Sequence, residues 1–347
     1  MKFSTTVLNR VVSASALTAV VASGPIFTAN AQQAQTINGA GATFPAPLYE
    51  RYAREVKKKY PNLGVNYQAV GSGAGIRQVI SGTVDFGASD AAMKDDEIAK
   101  VKNGVILVPT AGGAVSIVYN VPGVKELRLS RKTLPGIFSG QITNWNDPQI
   151  KADNPGVNLP NQPIKVAVRA DSSGTSFIFS NHLSTISPYF KGRIGASTTP
   201  NWTIPNALKG KGNPGVANLV NRTAGAIGYV EYQYAQTNKL SSALIQNKQG
   251  QFVAPSLQTA NEALSNVSFP ENYRVFVGDP TQGYPIVGLT WLLVYRNYPN
   301  AAKGAAVKNF VNWALTDGQQ INDDLNYTRI PAPVAQKVIQ TVNSAIK

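Results

Sequence analysis

Alternating apolar runs, each followed by a helical pattern, recur along the chain. Residues 164–168 alternate and are β-branched, which predicts a strand, and Phe179 and Leu183 then have the four-residue spacing of one helix face. The same order, a strand signal followed by a helical one, is found at residues 37–56 and again at residues 65–80. The pattern therefore predicts three junctions at which a strand leads into a helix.

The third junction carries groups that are suited to bind an anion. Ser173 and Thr175 stand where the helix would begin, and Gly174 between them allows close approach of the backbone to a ligand. Free N–H groups and the helix dipole attract anions at such an end. Arg169 adds a planar fork of donors that matches a tetrahedral oxyanion, and Asp171 can hold that fork in place. The alternative is a purely structural role, in which these residues form an ordinary helix cap beside a surface ion pair.

The other two junctions present similar groups. Thr43 and Phe44 precede the first helical pattern, where they would offer hydroxyl and backbone donors. Residues 71–75, Gly-Ser-Gly-Ala-Gly, form a loop that leads into a short helix at residues 76–80. That loop lacks the Lys-Ser/Thr pair of a nucleotide-binding P-loop, so alone it is a weak signal.

A further carboxylate, Asp90, ends the strand signal at residues 84–89. On its own it is more often the cap of a following helix, predicted here at residues 93–101, than a ligand group. The remaining pattern predicts a loop rich in Gly and Lys and two closing helices, and these lie at residues 206–215, 301–316 and 333–346.

Composition limits the classes of protein to consider. The 347 residues, 43% hydrophobic and 14% charged, are enough for two globular domains. The net charge of +14 invites a nucleic-acid-binding function, but the basic residues are scattered, and the densest run, Lys57 to Lys59, extends the polar face of a helix. We therefore predict no nucleic-acid partner, although a positive protein would attract small anions.

Cysteine is absent and the chain has one His. The lack of Cys excludes disulfides, thiolate metal sites, a cysteine nucleophile and a lipoprotein anchor. A single His leaves few ligands for a metal ion, so we predict neither a metal nor a cofactor.

The first 31 residues have the pattern of a secretory signal. Lys2 and Arg10 supply the positive end, residues 11–22 are small and apolar, and Ala29-Asn30-Ala31 fits the small-x-small rule for cleavage. After cleavage thirty basic and eighteen acidic residues remain, a charge of +12. We predict an exported, soluble protein in the periplasm that is not lipid-anchored.

With these motifs together, the chain resembles the periplasmic phosphate-binding proteins that supply high-affinity phosphate ABC transporters. The matching stretches follow the order of that family and are residues 39–45, 71–75, 84–90, 169–176 and 225–232. They span most of the mature chain, so the resemblance is specific.

The resemblance implies an α/β, two-lobed periplasmic-binding-protein fold of type II, each lobe a mixed sheet flanked by helices, with a two-strand hinge. One lobe would comprise residues 32–110 plus 285–347, and the other residues 111–284. The protein would be a monomer without enzymatic activity that captures inorganic phosphate between its lobes. Its second partner would be the membrane permease of an ABC importer.

The family's ligand contacts map onto this sequence without a departure. The implied phosphate contacts are Thr43, Phe44, Ser72, Asp90, Arg169, Ser173, Gly174 and Thr175, with Asp171 bracing Arg169. Near neutral pH phosphate keeps a proton that sulfate lacks, so a buried Asp90 would accept a hydrogen bond from phosphate and meet only lone pairs of sulfate.

Two alternatives remain open at this point. A binder of another tetrahedral oxyanion, such as sulfate, arsenate or molybdate, would use similar donors. A serine-dependent phosphatase or hydrolase would need Ser173 or Ser176 as nucleophile and His182 as base. However, His182 lies nine and six residues further along the predicted helix and would not turn back to its start, and the chain has no Gly-x-Ser-x-Gly elbow.

Overall fold

The computed structural model describes Met1 and residues 34–347. The predicted export signal and its cleavage site at Ala31 lie, apart from Met1, outside the described residues. Within residues 34–347 no helix is both long and apolar enough to cross a bilayer.

Mixed β-structure forms the centre of the described chain. The strands are β1 (Gln35–Gly41), β2 (Leu63–Ala69), β3 (Phe86–Ser89), β4 (Val105–Asn120), β5 (Arg128–Leu129), β6 (Lys165–Arg169), β7 (Leu208–Gly210), β8 (Ala226–Glu231), β9 (Ser241–Ser242), β10 (Leu244–Gln246), β11 (Phe252–Val253) and β12 (Val287–Tyr295). The larger sheet has the order β2-β1-β3-β12-β4-β8-β6-β7, with β9 beside β4. Strands β11, β10 and β5 form a small second sheet.

Helices cover this sheet. They are α1 (Ala46–Glu55), α2 (Ser72–Ser81), α3 (Asp95–Ile98), α4 (Thr133–Phe138), α5 (Pro148–Asp153), α6 (Gly174–Ile186), α7 (Pro188–Arg193), α8 (Gly212–Arg222), α9 (Tyr232–Thr237), α10 (Leu257–Leu264), α11 (Ala301–Ala314), α12 (Gln319–Asp324) and α13 (Ala332–Ala345). A single 3₁₀ turn, Val56–Lys58, extends α1.

The long strand β4 connects two parts of the large sheet. From Val105 to Ala114 it pairs antiparallel with β12, and from Val115 to Asn120 it pairs antiparallel with β8. On the first side β1 is parallel to β2 and β3, and on the second β6 is parallel to β7 and β8. We call the part with β1, β2, β3 and β12 the first half and the part with β6, β7 and β8 the second half. The predicted α/β class with mixed sheets flanked by helices is confirmed.

The apolar runs become the central strands because both of their faces are covered. Every residue of β12 and all of β4 except Asn120 is buried, as a continuous apolar run predicts. Shorter strands end at the polar junctions. There, Ser173 accepts a hydrogen bond from the backbone N–H of Ser176 at 3.0 Å and so caps α6.

Three local predictions were wrong. The loop at residues 71–75 is largely the first turn of α2, which begins at Ser72, and a Cβ at Gly75 would lie 2.6 Å from the Cα of Gly41. Glycine at position 75 allows α2 to contact β1 closely. A prediction from composition takes such glycines as the sign of a loop. Residues 206–215 contain β7 and the start of α8, because tertiary packing outweighs the low helix propensity of Gly and Pro.

The third error concerns the other predicted helices. Within residues 93–101 the only helix is the one-turn helix α3. Asp90 does not cap it, because the N-cap position of α3 is occupied by Lys94. Between the two closing helices the chain forms an additional helix, α12.

Candidate functional site

The first turns of four helices meet where the two halves of the sheet face each other. The backbone N–H of Gly174, in α6, donates to Ser72 Oγ at the start of α2, over 3.1 Å. At the start of α8 the backbone N–H of Asn213 donates to Thr43 Oγ1, just before α1, over 3.1 Å. These bonds bring residues from all three predicted junctions together and add a fourth helix terminus that the sequence did not indicate.

Glycine is required at position 174 by this close approach. A Cβ added there would lie 2.5 Å from Asp90 Cβ and 2.6 Å from Ser72 Oγ, both far inside contact distance. The start of α6 therefore packs directly against two other predicted site residues.

Arg169 and Asp171 form a buried, bidentate ion pair. Arg169, the last residue of β6, donates from Nε to Asp171 Oδ1 over 2.9 Å and from Nη2 to Oδ2 over 2.5 Å, and its side chain is 1% exposed. Asp171 also accepts from the backbone N–H of Gly212 over 2.9 Å. Burial alone would raise the pKa of Asp171, but the bonds and charge of Arg169 outweigh it and hold that pKa below its ordinary value. The predicted brace is thus present.

The remaining guanidinium nitrogen of Arg169 points toward α6. Nη1 lies 3.3 Å from Thr175 Oγ1, so the fork is fixed on one side by a carboxylate and directed on the other at the helix start. Arg169, Asp171 and Thr175 therefore form one connected unit.

Asp90 is a different kind of carboxylate. It is 2% exposed, and its oxygens accept from Thr290 Oγ1 over 2.8 Å and lie 3.5 Å from Ser72 Oγ. Burial raises the pKa of Asp90 to about 7, although the hydrogen bond from Thr290 and the charge of Arg169 oppose that rise. Near neutral pH this group is poised between an acid that donates and a carboxylate that accepts.

Tyrosine hydroxyls fix the backbone at Thr43 and Phe44. Tyr234 donates to the carbonyl oxygen of Thr43, and Tyr327 to that of Phe44, each over 2.7 Å. Tyr327 is also 2.9 Å from Glu231 Oε2. The Tyr327 hydroxyl is the donor to Glu231, and burial raises the pKa of Glu231 to about 8, although the hydrogen bond from Tyr327 opposes that rise.

Sequence reasoning missed Asn213, Glu231 and Thr290. Asn213 is fully buried and contacts both Thr43 and Thr175, and Thr290 is a direct partner of Asp90. Asn213 lay in the stretch predicted to be a loop, and Thr290 inside an apolar strand run. Glu231 lies within one of the stretches that carried the family resemblance and is the last residue of β8, and a polar residue at a strand end was the signal that could have found it.

The geometry of a serine hydrolase is not formed. The Nδ1 atom of His182 lies 2.8 Å from the carbonyl oxygen of Gly278, and burial lowers the His182 pKa to about 4. Ser176 Oγ instead pairs with the hydroxyl of Tyr229 over 2.6 Å, and Ser173 Oγ accepts from the Ser176 N–H. His182 and the two serines therefore have different partners. Among residues 34–347 no three acidic or His side chains are grouped to hold a metal ion.

Several known proteins are similar to this chain. The sequence profile of the PBP superfamily domain matches residues 28–318. Phosphate-binding protein PstS of Pasteurella multocida is 39% identical over 314 residues, which cover 88% of this chain and 89% of that protein. Phosphate-binding protein PstS of Methanocaldococcus jannaschii is 35% identical over 332 residues, covering 88% and 85%.

Solved structures show the same fold. A high-affinity periplasmic phosphate-binding protein, PfluDING, bound with phosphate, has a TM-score of 0.77 at 23% identity, covering 88% of this chain and 94% of that one. The phosphate-binding protein from Stenotrophomonas maltophilia has a TM-score of 0.72 at 21% identity, covering 88% and 94%. The fold is therefore the two-lobed α/β architecture of periplasmic binding proteins.

This chain belongs to the PBP superfamily and, within it, to the PstS family of phosphate-binding proteins. The family is one of substrate-binding proteins, which is not a class of enzyme.

Proposed function

We propose that this protein captures inorganic phosphate between two lobes and delivers it to the permease subunits of an ABC-type phosphate importer. The observation that carries the proposal is a buried, braced guanidinium at Arg169 that shares its site with a buried acid at Asp90. Such a site offers a fixed cation and many donors to an oxyanion, together with one group that can accept a proton from it.

Each predicted contact has a role in this proposal. Arg169 and the hydroxyls of Thr43, Ser72, Ser173 and Thr175 donate to phosphate oxygens, and the helix starts supply N–H groups at Phe44 and Gly174. Asp171 orients Arg169 without touching the ligand. Asp90 accepts the hydrogen bond from the protonated oxygen of phosphate, which is the contact that sulfate cannot make.

We further propose that the lobes are residues 34–110 with 285–347 and residues 111–284, and that β4 and the segment entering β12 cross between them as the hinge. The bonds from Gly174 to Ser72 and from Asn213 to Thr43 run from one proposed lobe to the other. They belong to a closed arrangement, in which the ligand contacts of both lobes are assembled together.

The setting of the protein follows from the export signal. We propose that residues 1–31 are removed after Ala31 and that a monomer without a lipid anchor acts in the periplasm. The mature charge of +12 attracts phosphate to the cleft, and the protein has no catalytic activity of its own.

Calorimetric titration of the mature protein tests the proposal. The protein is first freed of bound ligand by partial unfolding and then titrated with phosphate and with sulfate at equal ionic strength. We expect tight one-to-one binding of phosphate and no response to sulfate. Binding of both anions would indicate a general oxyanion binder, and turnover of an aryl phosphate ester would indicate a phosphatase.

A further inference from the structure

We infer that Asn213 is a positioning residue that commits the hydroxyl groups of Thr43 and Thr175 to act only as donors toward the bound anion. The inference rests on the proposed function and extends it to a residue outside the predicted contacts. Its basis is the complete hydrogen bonding of this buried amide.

The orientation of the Asn213 amide is fixed by its backbone neighbour. The N–H of Glu231 donates to Asn213 Oδ1 over 2.9 Å, and a backbone N–H cannot accept, so the oxygen must face Glu231. The two Nδ2 protons are thereby directed elsewhere. They are donated to Thr43 Oγ1 over 2.9 Å and to Thr175 Oγ1 over 3.1 Å.

Both lone pairs of the Thr43 hydroxyl are then occupied. A hydroxyl oxygen has two acceptor sites and one proton. Thr43 Oγ1 accepts from Asn213 Nδ2 and from the Asn213 backbone N–H, over 2.9 and 3.1 Å. Neither partner can accept a proton in return, so the only function left to this hydroxyl is to donate.

Both acceptor sites of the Thr175 hydroxyl are occupied as well. Its Oγ1 accepts from Asn213 Nδ2 over 3.1 Å and from Arg169 Nη1 over 3.3 Å. One asparagine therefore controls the protons of two hydroxyls that lie on opposite sides of the cleft. It also links the closing of the cleft to the preparation of the site, because Asn213 and Thr43 belong to different proposed lobes.

The hydroxyl of Ser72 is held in the same donor role without any contact from Asn213. Its Oγ accepts from the backbone N–H groups of Asp90 and Gly174, over 3.2 and 3.1 Å. All three hydroxyls can thus act only as donors, and Asp90 is left as the acceptor among these side chains. The Ser72 hydroxyl donates to Asp90 Oδ2 over 3.5 Å, a long bond that a ligand would replace. A ligand must present lone pairs to the three hydroxyls and its proton to Asp90, and Asn213 enforces the donor role of two of the three hydroxyls.

The test compares Asn213→Ala with a matched control, Asn247→Ala, by calorimetric titration with phosphate. Asn247 is also fully buried and hydrogen-bonded, through Gln251 and Gly283, but touches none of the site residues. We expect phosphate affinity to fall about 30- to 100-fold in Asn213→Ala, because two hydroxyl protons are released to other partners, and about 3-fold or less in the control. Equal affinities of Asn213→Ala and wild type would overturn the inference.

A double-mutant cycle separates positioning from packing. If Asn213 acts partly through the Thr43 hydroxyl, then Asn213→Ala should weaken binding less in a Thr43→Val background than in the wild type. An unchanged effect in both backgrounds would mean a packing role and would refute the inference. Should Asn213→Ala not fold, Asn213→Ser, which keeps a small polar side chain, takes its place in the same cycle with the same expected coupling.

The failure of the proposed function gives a different result. In that case the wild type itself would not bind phosphate, and the inference would fail with it. Tight binding by the wild type with an unaffected Asn213→Ala variant would refute the inference alone.

Discussion

Two aspartates at the site, Asp171 and Asp90, have the same carboxyl group but different surroundings, and these give them different roles. Asp171 is held by two guanidinium nitrogens of Arg169 and by the N–H of Gly212, and its pKa is lowered. Asp90 is more deeply buried, is bonded to hydroxyls instead of a cation, and its pKa is raised to about 7. A carboxylate paired with Arg is already satisfied and serves as a brace. A carboxylate without such a partner still has an oxygen that can accept a hydrogen bond from a protonated ligand.

The largest expected effect is on selectivity, in Asp90→Asn. The amide can turn its NH₂ group toward a fully ionised oxygen, so the like-charged, unmatched contact with sulfate disappears. We expect the ratio of phosphate to sulfate affinity to fall by about 10³-fold, which is somewhat less than the discrimination of about 10⁴ to 10⁵ that sites built around such a bond achieve. Competition binding of the two anions measures this ratio, and an unchanged ratio would show that Asp90 does not select the ligand.

Asp171→Asn should affect affinity and leave selectivity intact. The variant keeps the shape of the side chain but loses the charge that fixes the fork of Arg169, so phosphate and sulfate should both bind about 10- to 30-fold more weakly. The ratio of the two affinities should stay within about threefold of wild type. A large change in that ratio would contradict the division of roles between the two aspartates.

The smallest effect is on the pH dependence of stability. An acid whose pKa is raised in the folded state keeps a proton there that the unfolded chain has lost, so for Asp90 the free energy of unfolding falls as pH rises from about 4 to 7. Asp171, with its lowered pKa, acts in the opposite direction and only at lower pH, where its stabilising contribution is lost on protonation.

Urea unfolding of the ligand-free protein at pH 5, 6 and 7 isolates this effect. Glu231, with its pKa raised to about 8, gives a slope of the same sign, and His182, with its pKa lowered to about 4, gives the opposite one below pH ~6.5. His182 acts equally in wild type and Asp90→Asn, whereas the charge of Asp90 also raises the pKa of Glu231, so the difference in unfolding free energy reports Asp90 together with its influence on Glu231. We expect wild type to lose stability relative to the variant by up to about 1.4 kcal/mol per pH unit, whereas a constant difference would mean that Asp90 does not titrate in this range.

The site was predictable where its residues are neighbours in the chain. Arg169, Asp171, Ser173 and Thr175 lie within seven positions, and the strand and helix that flank them follow from hydrophobic periodicity. Local spacing was enough to predict both the brace on Arg169 and the cap at Ser173. The boundary of α2 was missed because Gly75 is needed for contact with Gly41, which local composition does not register.

Asn213 was missed for a different reason. It stands 170 residues from Thr43 and in a stretch of Gly, Lys and Pro that has the composition of a loop. The side-chain partners that give it a role come from two other elements, and nothing in its immediate neighbours indicates them. Thr290 was overlooked because it lies inside an apolar strand, where a hydroxyl has no visible purpose until Asp90 is placed opposite.

The sequence by itself determined the main strands and helices, the family of the protein and the kinds of side chain at the junctions, because these depend on periodicity and short motifs. Only the tertiary structure decided which junctions meet, that Asp171 is paired while Asp90 is not, and that Asn213 joins Thr43 to Thr175. Burial and long-range hydrogen bonds set the pKa of a carboxyl group and the direction of a hydroxyl proton, and both arise only when distant parts of the chain pack together.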